Sequence, residues 1–293
     1  MTGEQSESSQ TLTIDRIRAA AARLAGIAHR TPLLTSATLD AQCGGSVLLK
    51  AENFQRGGAF KFRGAYNRLS LLDDAERARG VVAYSSGNHG GAVALAARLL
   101  KVPAVVVVPA TGSPAKLAAI EGYGAQVRRY DPATEEREAV ATAIAQERSM
   151  TIIRPFDDYE IMAGQGTLGI ELAEQAGEAR DGQQAGDGRV DQVVTMADGL
   201  RARQPGELTF AVNSLTLDDV VTVSEDAIAE AMRFCFTRMK VVVEPSGAVA
   251  LAALRSGAVQ AAGRRSVVVV SGGNVDPVDF AALLGAGQAA AVA

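Results

Sequence analysis

The residue best suited to covalent chemistry in this sequence is Lys61, which lies between Phe60 and Phe62 in the segment AFKFRGA. The chain uses arginine almost by default, because only five of its 29 Lys and Arg residues are lysines. An ammonium desolvated by aromatic neighbours has a lowered pKa, and the resulting free amine can form a Schiff base, which a guanidinium does not do. The structural alternative is a lysine at a helix start whose stem passes two phenylalanines on its way to solvent.

Two further loops are rich in small residues. SSGNHGGA at 85–92 follows the apolar run VVAYS and precedes a helical pattern, so its backbone N–H groups could face an anion such as a substrate carboxylate. The alternative is a routine strand-to-helix turn with Asn88 as the cap. SGGN at 271–274 follows SVVVV in the same way, and its alternative is a tight turn that uses two glycines for packing.

The elements that position these loops alternate between valine-rich runs and alanine-rich helical patterns. Runs that are apolar on both faces are typical of strands buried in a parallel sheet. The alternation predicts an α/β fold with mainly parallel sheets, in which ligands lie at the carboxyl ends of the strands. The predicted strands are 47–52, 81–85, 104–108, 220–223 and 266–270, and the predicted helices are 14–28, 89–101, 114–122, 135–147, 162–175, 225–238 and 246–256.

Composition and charge exclude several classes of protein. The chain of 293 residues is 47% hydrophobic and 21% charged, as expected for one large globular domain or two modest ones. The net charge is -4 and the basic residues are spread along the chain, so the sequence indicates no basic patch that would bind nucleic acid. The apolar stretch 92–110 is interrupted by Arg98, Lys101 and Pro103, so we expect no membrane span.

The few cysteines and histidines indicate neither a disulfide framework nor a zinc site. Cys43 and Cys235 stand far apart and no signal-peptide pattern opens the chain, so we expect a reducing compartment, the cytoplasm. His29 and His89 have no nearby thiolates to complete a typical zinc site, and we expect no metal.

The motifs become far more specific when they are read together. The chain resembles the threonine/serine dehydratase and serine racemase family, a branch of the fold-type-II pyridoxal-phosphate enzymes, over roughly 30–175 and 195–280. The resemblance implies a two-domain architecture like that of the tryptophan synthase β subunit, with a large cofactor domain from 1–72 and 153–293 and a small domain over 73–152. The segments that carry it, in the family's order, are AFKFRGA, SSGNHGGA, GQGTLGIEL (164–172), ADGL with PGELTF (197–210), EPSGA (244–248) and SGGNVD (271–276).

For the cofactor, the resemblance implies a role for residues of three loops. Lys61 matches the lysine that holds pyridoxal phosphate as a Schiff base and later moves the Cα proton. Phe60 matches the aromatic residue packed against the ring, and Asn88 matches the asparagine that binds its phenolic oxygen. Ser271, beside Gly272, matches the residue that faces the pyridine nitrogen. A neutral hydroxyl there does not keep that nitrogen protonated, which favours loss of a β-leaving group over transamination.

For the substrate, the resemblance implies binding by the loop after the strand at 81–85. Its members Ser85, Ser86, Gly87, Asn88 and His89 match the loop that grips the substrate carboxylate. Ser86 also matches the serine that serves racemases as the acid on the face opposite the lysine. We therefore expect Lys61 and Ser86 to be the catalytic residues of a protein that binds a small amino acid.

The sequence departs from the family at the phosphate-binding loop. Relatives carry a tetraglycine-type loop within about forty residues between the GQGTLGIEL and ADGL segments, whereas here the polar stretch 176–194 joins them directly. Ala59 also stands where serine is usual. Ala179 and Asp181 would be the remnants of a cation site, but the glutamate expected before them is out of register.

These observations predict a dehydratase that converts L-threonine or L-serine to a 2-oxo acid and ammonia, and we expect a homodimer. The closest enzymatic alternative is an amino-acid racemase that uses Lys61 and Ser86 on opposite faces. The alternative from another class is a shortened, non-catalytic homologue that holds the cofactor poorly.

Overall fold

The structure, a computed structural model, describes residues 11–85, 87–112, 114–176, 194–202 and 204–285. The strands are β1 Leu33–Thr35, β2 Ser46–Ala51, β3 Val81–Tyr84, β4 Ala104–Pro109, β5 Gln126–Tyr130, β6 Thr151–Ile152 and β7 Arg265–Val270. The α-helices are α1 Ile14–Leu24, α2 Ala37–Cys43, α3 Lys61–Ser70, α4 Asp74–Arg79, α5 Asn88–Leu100, α6 Pro114–Gly122, α7 Arg137–Arg148, α8 Tyr159–Ala176, α9 Glu207–Thr216, α10 Glu225–Phe234, α11 Pro245–Arg255 and α12 Pro277–Gly285.

The first of two compact units falls within Met1–Ala28, Lys61–Ala179 and Gly206–Leu215. Its sheet has the strand order β5-β4-β3-β6, and every pairing in it is parallel. Val81 and Ala83 of β3 lie in a core shared with α3, α5 and α6, whereas Val82 and Tyr84 pack with α7 on the other face. The central strands are therefore apolar throughout because both of their faces are buried.

The second unit falls within His29–Phe60, Arg180–Pro205 and Thr216–Ala293. Its sheet has the order β1-β2-β7, in which β2 and β7 are parallel and β1 runs antiparallel to β2. Val47 and Leu49 of β2 and Val268 of β7 share a core with Met232 of α10 and Leu251 of α11. Because β2 and β7 are parallel, the segments that follow them leave the sheet at the same edge.

The predicted α/β class with mainly parallel sheets is confirmed, and so are the strands predicted near 47–52, 81–85, 104–108 and 266–270. The strand predicted at 220–223 is wrong. These residues adopt no regular secondary structure and pair with no strand among the described residues, and the Val220 side chain is 55% exposed. A strand needs a neighbour for its backbone groups, and an apolar run alone does not supply one.

The predicted domain limits stay a prediction. The four-stranded sheet spans residues 81–152, inside the predicted small domain of 73–152, and the compact unit that contains this sheet also takes in α3 and α8. The segment 176–194 is the one predicted to be shortened. Its residues 177–193, which include Ala179 and Asp181, lie outside the described residues.

Candidate active site

Lys61 is the first residue of α3, and its side chain is partly buried. Its Nζ donates a 2.9 Å hydrogen bond to the carbonyl oxygen of Pro155. Burial lowers the pKa of the amine from 10.5 to about 8. Part of this lysine is therefore the free base near neutral pH, which is the form that attacks a carbonyl carbon or accepts a proton.

The SSGNHGGA loop connects β3 to α5. Ser85 follows the strand, Gly87 is the N-cap of α5, and its N–H lies 3.3 Å from Ser85 Oγ. A side chain at Gly90 would collide with the carbonyl oxygen of Ser85, so the helix can approach the strand end this closely only with glycine there. Because the first N–H groups of a helix lack intrahelical acceptors, this turn is suited to an anion. Ser86 lies outside the described residues.

His89, in the first turn of α5, is turned inward and is 3% exposed. Its Nε2 lies 3.0 Å from the carbonyl oxygen of Ile153, which follows β6, and since a carbonyl only accepts, Nε2 carries the hydrogen. Burial lowers the imidazole pKa to about 4; the hydrogen bond to Ile153 opposes that shift, and the charge of Lys61 adds to it. His89 is therefore neutral at physiological pH.

The segment 155–158 was not identified from the sequence, although it ties Lys61 to two helices. Pro155 accepts from the Lys61 amine, and Asp158 Oδ1 accepts from the N–H of Glu160 at 2.8 Å, at the start of α8. Asp157 Oδ1 accepts from the N–H of Leu208 at 2.7 Å, at the start of α9. Aspartate just before a helix is a recognisable cap signal for Asp158, but the sequence gives no sign that Asp157 caps a helix fifty residues away.

In the second unit, the SGGN loop after β7 pairs with the residues that lead to Lys61. Phe60 donates its N–H to the carbonyl of Ser271 at 3.0 Å, and Ala59 forms an antiparallel bridge with Gly272. Glu244, from the EPSGA segment, donates its N–H to the carbonyl of Gly272 at 3.1 Å. Three of the motifs singled out in the sequence are therefore bonded to one another within this unit.

The predicted site residues are thus distributed over both units. Within the first unit, Lys61 and His89 donate to carbonyls of the same stretch after β6, and the loop of Ser85, Gly87 and Asn88 adjoins His89 in the chain. Within the second, the structure brings together Phe60, Ser271 and Gly272.

Metal-binding clusters and membrane-spanning helices are both absent from the described residues. No group of His, Cys, Asp and Glu side chains in this part of the chain is arranged to hold a metal ion. No helix that the structure describes is long and apolar enough to cross a membrane.

Comparison with known proteins gives relatives over nearly the whole chain. An L-threo-3-hydroxyaspartate ammonia-lyase from Pseudomonas is 42% identical over 306 aligned positions, which cover 90% of this chain and 96% of the relative. Serine racemase of Schizosaccharomyces pombe is 36% identical, with coverage of 93% and 97%. Among solved structures, maize serine racemase is 34% identical with a TM-score of 0.86, covering 93% of this chain and 96% of that one.

The alignment with the Pseudomonas lyase also shows a difference in length. It has 306 positions, but 90% of the 293 residues of this chain is only about 264, so about forty positions of the relative have no counterpart here.

The residues of this chain fit pyridoxal phosphate at its aldehyde end. Lys61 supplies a primary amine whose pKa is already lowered by burial, and Asn88 and Ser271 are the polar residues assigned by resemblance to the ring. At the phosphate end the family's loop has no match, because no run in the sequence exceeds two glycines. The chain therefore retains the attachment chemistry without the usual phosphate motif.

The model of the family described as "Pyridoxal-phosphate dependent enzyme" matches this chain in two pieces, residues 24–183 and 180–272. The pieces meet within the segment 176–194, where the family's phosphate loop is missing. Together with the relatives, this match shows that the chain belongs to the family of pyridoxal-phosphate dependent enzymes.

Proposed function

We propose that this protein is an ammonia-lyase that converts a small β-hydroxy amino acid to a 2-oxo acid and ammonia, with pyridoxal phosphate as cofactor. The observation that carries the proposal is the Lys61 amine, which is partly buried, bound to the Pro155 carbonyl and has a pKa lowered to about 8. A lysine in this state is suited both to holding an aldehyde and to acting as a general base.

Each residue of the site has a separate task in this proposal. The chemistry that pyridoxal phosphate supplies when bound is an electron sink beside the substrate Cα. Lys61 Nζ takes the Cα proton, and the hydroxyl leaves from Cβ. The N–H groups at the start of α5, from Asn88 onward, bind the substrate carboxylate. Ser271, which the resemblance assigns to the ring nitrogen, would offer a neutral hydroxyl there, and a neutral partner favours elimination.

The substrate class in this proposal is wider than L-threonine and L-serine. The Pseudomonas relative is named for L-threo-3-hydroxyaspartate, which is serine with an additional carboxylate on Cβ. All three amino acids share the Cα proton and the β-hydroxyl that elimination requires. We therefore include L-threo-3-hydroxyaspartate among the substrates of this chain.

Amino-acid racemisation is the second candidate function, supported by the similarity to two serine racemases. It would require an acid on the face opposite Lys61, and the resemblance assigns that role to Ser86, which lies outside the described residues. The lyase and racemase proposals share Lys61 as the base and differ in whether the hydroxyl leaves.

The test is to supply the purified protein with pyridoxal phosphate and each of the three L-amino acids. Release of 2-oxo acid that is abolished by Lys61→Met and retained in Lys101→Met supports the lyase, since Lys101 is an exposed residue at the end of α5. Accumulation of the epimer inverted at Cα, such as D-serine from L-serine, without 2-oxo acid would favour the racemase. Neither product, with normal folding, would favour the shortened non-catalytic homologue.

Location and assembly stay part of the proposal. A cytoplasmic protein is supported by Cys43 and Cys235, which are both free thiols in the structure. The homodimer remains a prediction, which sedimentation of the purified chain would test.

A further inference from the structure

The imidazole of His89 has one ring nitrogen in use and one without a described partner. Nε2–H donates to the Ile153 carbonyl at 3.0 Å. Nδ1 is fully buried and has no hydrogen-bond partner among the described residues. Because the neutral ring already carries its hydrogen on Nε2, Nδ1 is a bare acceptor. A buried acceptor without a donor is costly, so its retention needs an explanation.

The donor that the surroundings offer is the ammonium of Lys61. Both side chains bind the stretch that leaves β6, where His89 donates to the carbonyl of Ile153 and Lys61 to that of Pro155, two residues further on. The charge of Lys61 also contributes to the lowered pKa of the His89 ring. An ammonium carries three hydrogens and can donate to more than one acceptor.

We propose that His89 is a positioning residue for Lys61. Its Nε2–H holds the stretch after β6 through the Ile153 carbonyl, so that the Pro155 carbonyl is in place to receive the amine, and its bare Nδ1 is a second acceptor toward which the amine turns. The inference rests on the proposed function only where it takes Lys61 as the lysine that holds the cofactor and acts as the base. The pairing of the two side chains is a property of the chain itself and is measured without turnover.

The charge state of His89 suits this role. The ring gains its second proton only near pH 4, far below the pH range in which Lys61 titrates. While the lysine gains or loses its proton, the ring is therefore neutral and offers an acceptor without a competing positive charge. The charge that contributes to the pKa of the ring is that of Lys61, from α3. The group to which the ring is hydrogen-bonded is a backbone carbonyl.

The first experiment measures the pKa of Lys61 in the full chain freed of cofactor, from the pH dependence of acetylation of each lysine by mass spectrometry. His89→Gln keeps an amide donor and an acceptor at the same separation as the two ring nitrogens, and we expect the pKa to stay near 8. His89→Met removes both, and the ammonium then loses acceptors without gaining water. We expect the ratio of free amine to ammonium at pH 7 to rise about tenfold in that variant, since one pKa unit is tenfold in that ratio.

The direction of the change separates this role from a merely structural one. If the substitution merely loosened the site, water would enter and the Lys61 pKa would rise toward 10.5. The exposed residues Lys101 and Lys240 serve as references in the same digest. An unchanged or raised pKa in a folded His89→Met protein overturns the proposal.

A second measurement does not depend on changing His89. The chain has two histidines, so the side-chain nitrogen signals of His29 and His89 can be assigned by NMR in the cofactor-free protein. We expect His89 to show the tautomer with hydrogen on Nε2, and its Nδ1 signal to shift in Lys61→Met but not in Lys101→Met. An Nδ1 signal identical in wild type and Lys61→Met would contradict the pairing.

Discussion

A fully buried lysine and a partly buried one show how surroundings decide what a residue can do. Lys50 lies fully buried in β2 and donates to the carbonyl of Thr31 at 2.8 Å, while Thr31 Oγ1 in turn donates to Glu52 at 2.5 Å. Lys61 lies at a helix start beside a loop rich in small residues. Because lysine is rare here, both residues attract attention, but only the loops that follow strands distinguish Lys61, which we propose to be reactive, from Lys50.

At Lys61, the lowered pKa makes a prediction about stability. Below pH 8 the amine is charged in both folded and unfolded chains, and keeping the pKa at about 8 instead of 10.5 costs the folded state about 3 kcal/mol. Between pH 8 and 10.5 the unfolded chain binds more protons, so this cost falls as the pH rises. Lys61→Met should therefore be more stable than wild type at pH 7, by an amount that shrinks toward pH 10.

Urea unfolding of the cofactor-free proteins at pH 7 and pH 10 measures this difference. Lys101→Met, at an exposed position, serves as the control and should show no such trend. Any gain from burying the methionine side chain is independent of pH, so a difference between wild type and Lys61→Met that stays constant with pH would contradict the prediction.

Arg154 makes a prediction about substrate choice. Arg154 is exposed and lies between the two residues whose carbonyls accept hydrogen bonds from His89 and Lys61. Its positive charge acts to lower the pKa of Tyr84, which directly precedes Ser85. If L-threo-3-hydroxyaspartate is a substrate, as we propose, such a cation would attract its additional carboxylate. We expect Arg154→Gln to lower kcat/KM for L-threo-3-hydroxyaspartate by roughly tenfold or more relative to L-serine, the loss typical of one charge-assisted hydrogen bond.

The matched control for Arg154 is Arg137→Gln. Arg137 is also exposed and also acts on Tyr84, but it belongs to the start of α7. Steady-state rates with both substrates decide the outcome: an equal loss for both, or an equal effect of the two substitutions, would show that Arg154 does not select the second carboxylate.

Among the elements, the crossing of α3 and α8 sets the position of Lys61. A Cβ on Gly164 would lie 2.6 Å from Gly64 Cα and 2.7 Å from the Arg63 carbonyl oxygen, so the two helices touch through their backbones. Gly164→Ala should therefore destabilise the protein by about 1–3 kcal/mol or displace α3. In the same helix Gly169 is exposed, and a Cβ there meets nothing within 4 Å.

Gly169→Ala is therefore the matched control and should stabilise the protein by about 0.5–1 kcal/mol through helix propensity. Chemical unfolding of both variants tests the pair, and the absorbance of bound cofactor reports on Lys61. Equal effects of the two substitutions would show that the helices do not depend on close contact at Gly164.

The same two helices are joined by a buried ion pair. Arg63, 1% exposed, donates to both carboxylate oxygens of Glu171 at 2.7 and 3.1 Å. Glu171→Ala leaves the guanidinium without its carboxylate and should cost about 3–5 kcal/mol. The double variant Arg63→Met with Glu171→Leu should recover most of that loss, which urea unfolding measures. A double variant as unstable as Glu171→Ala alone would contradict the prediction.

How far the elements can be predicted depends on what buries them. The valine runs of β3 and β4 are apolar because the sheet is covered on both faces, and the sequence predicts them correctly. The strand β5 was not predicted, because it pairs only with β4 at the edge of the sheet and its Arg128 and Arg129 break the apolar pattern. The false strand at 220–223 shows the converse, since a strand also depends on partners that lie elsewhere in the chain.

At the scale of the molecule, each unit carries part of the predicted site. The loops could be predicted because catalytic and binding residues follow the ends of parallel strands, which hold them in place. The carbonyl of Pro155 and the cap at Asp157 could not, because both are tertiary contacts made by residues far from Lys61 in the chain. The roles of Phe60, Ser86 and Ser271 rest on resemblance and stay predictions.

The missing phosphate loop gives the molecule its most distinctive prediction. A phosphate cradle supplies several N–H bonds to a charged group at about 1.5–3 kcal/mol each. Losing three of them costs on the order of 4–9 kcal/mol, or roughly three to six decades of affinity. Attachment to Lys61 and contacts with the ring would recover part of that loss but none of the selectivity for phosphate.

We therefore expect this chain to bind pyridoxal phosphate weakly, turn over slowly, and prefer it to unphosphorylated pyridoxal by less than about tenfold, that is by under about 1.4 kcal/mol. Absorbance titration of the cofactor-free protein with each aldehyde measures the ratio directly. Because both aldehydes use the same lysine, the comparison isolates the phosphate. Tight, stoichiometric binding of pyridoxal phosphate with a ratio of many decades would contradict the prediction and show that a substitute anion site exists, for which the glycines between 182 and 188, outside the described residues, are the first positions to mutate.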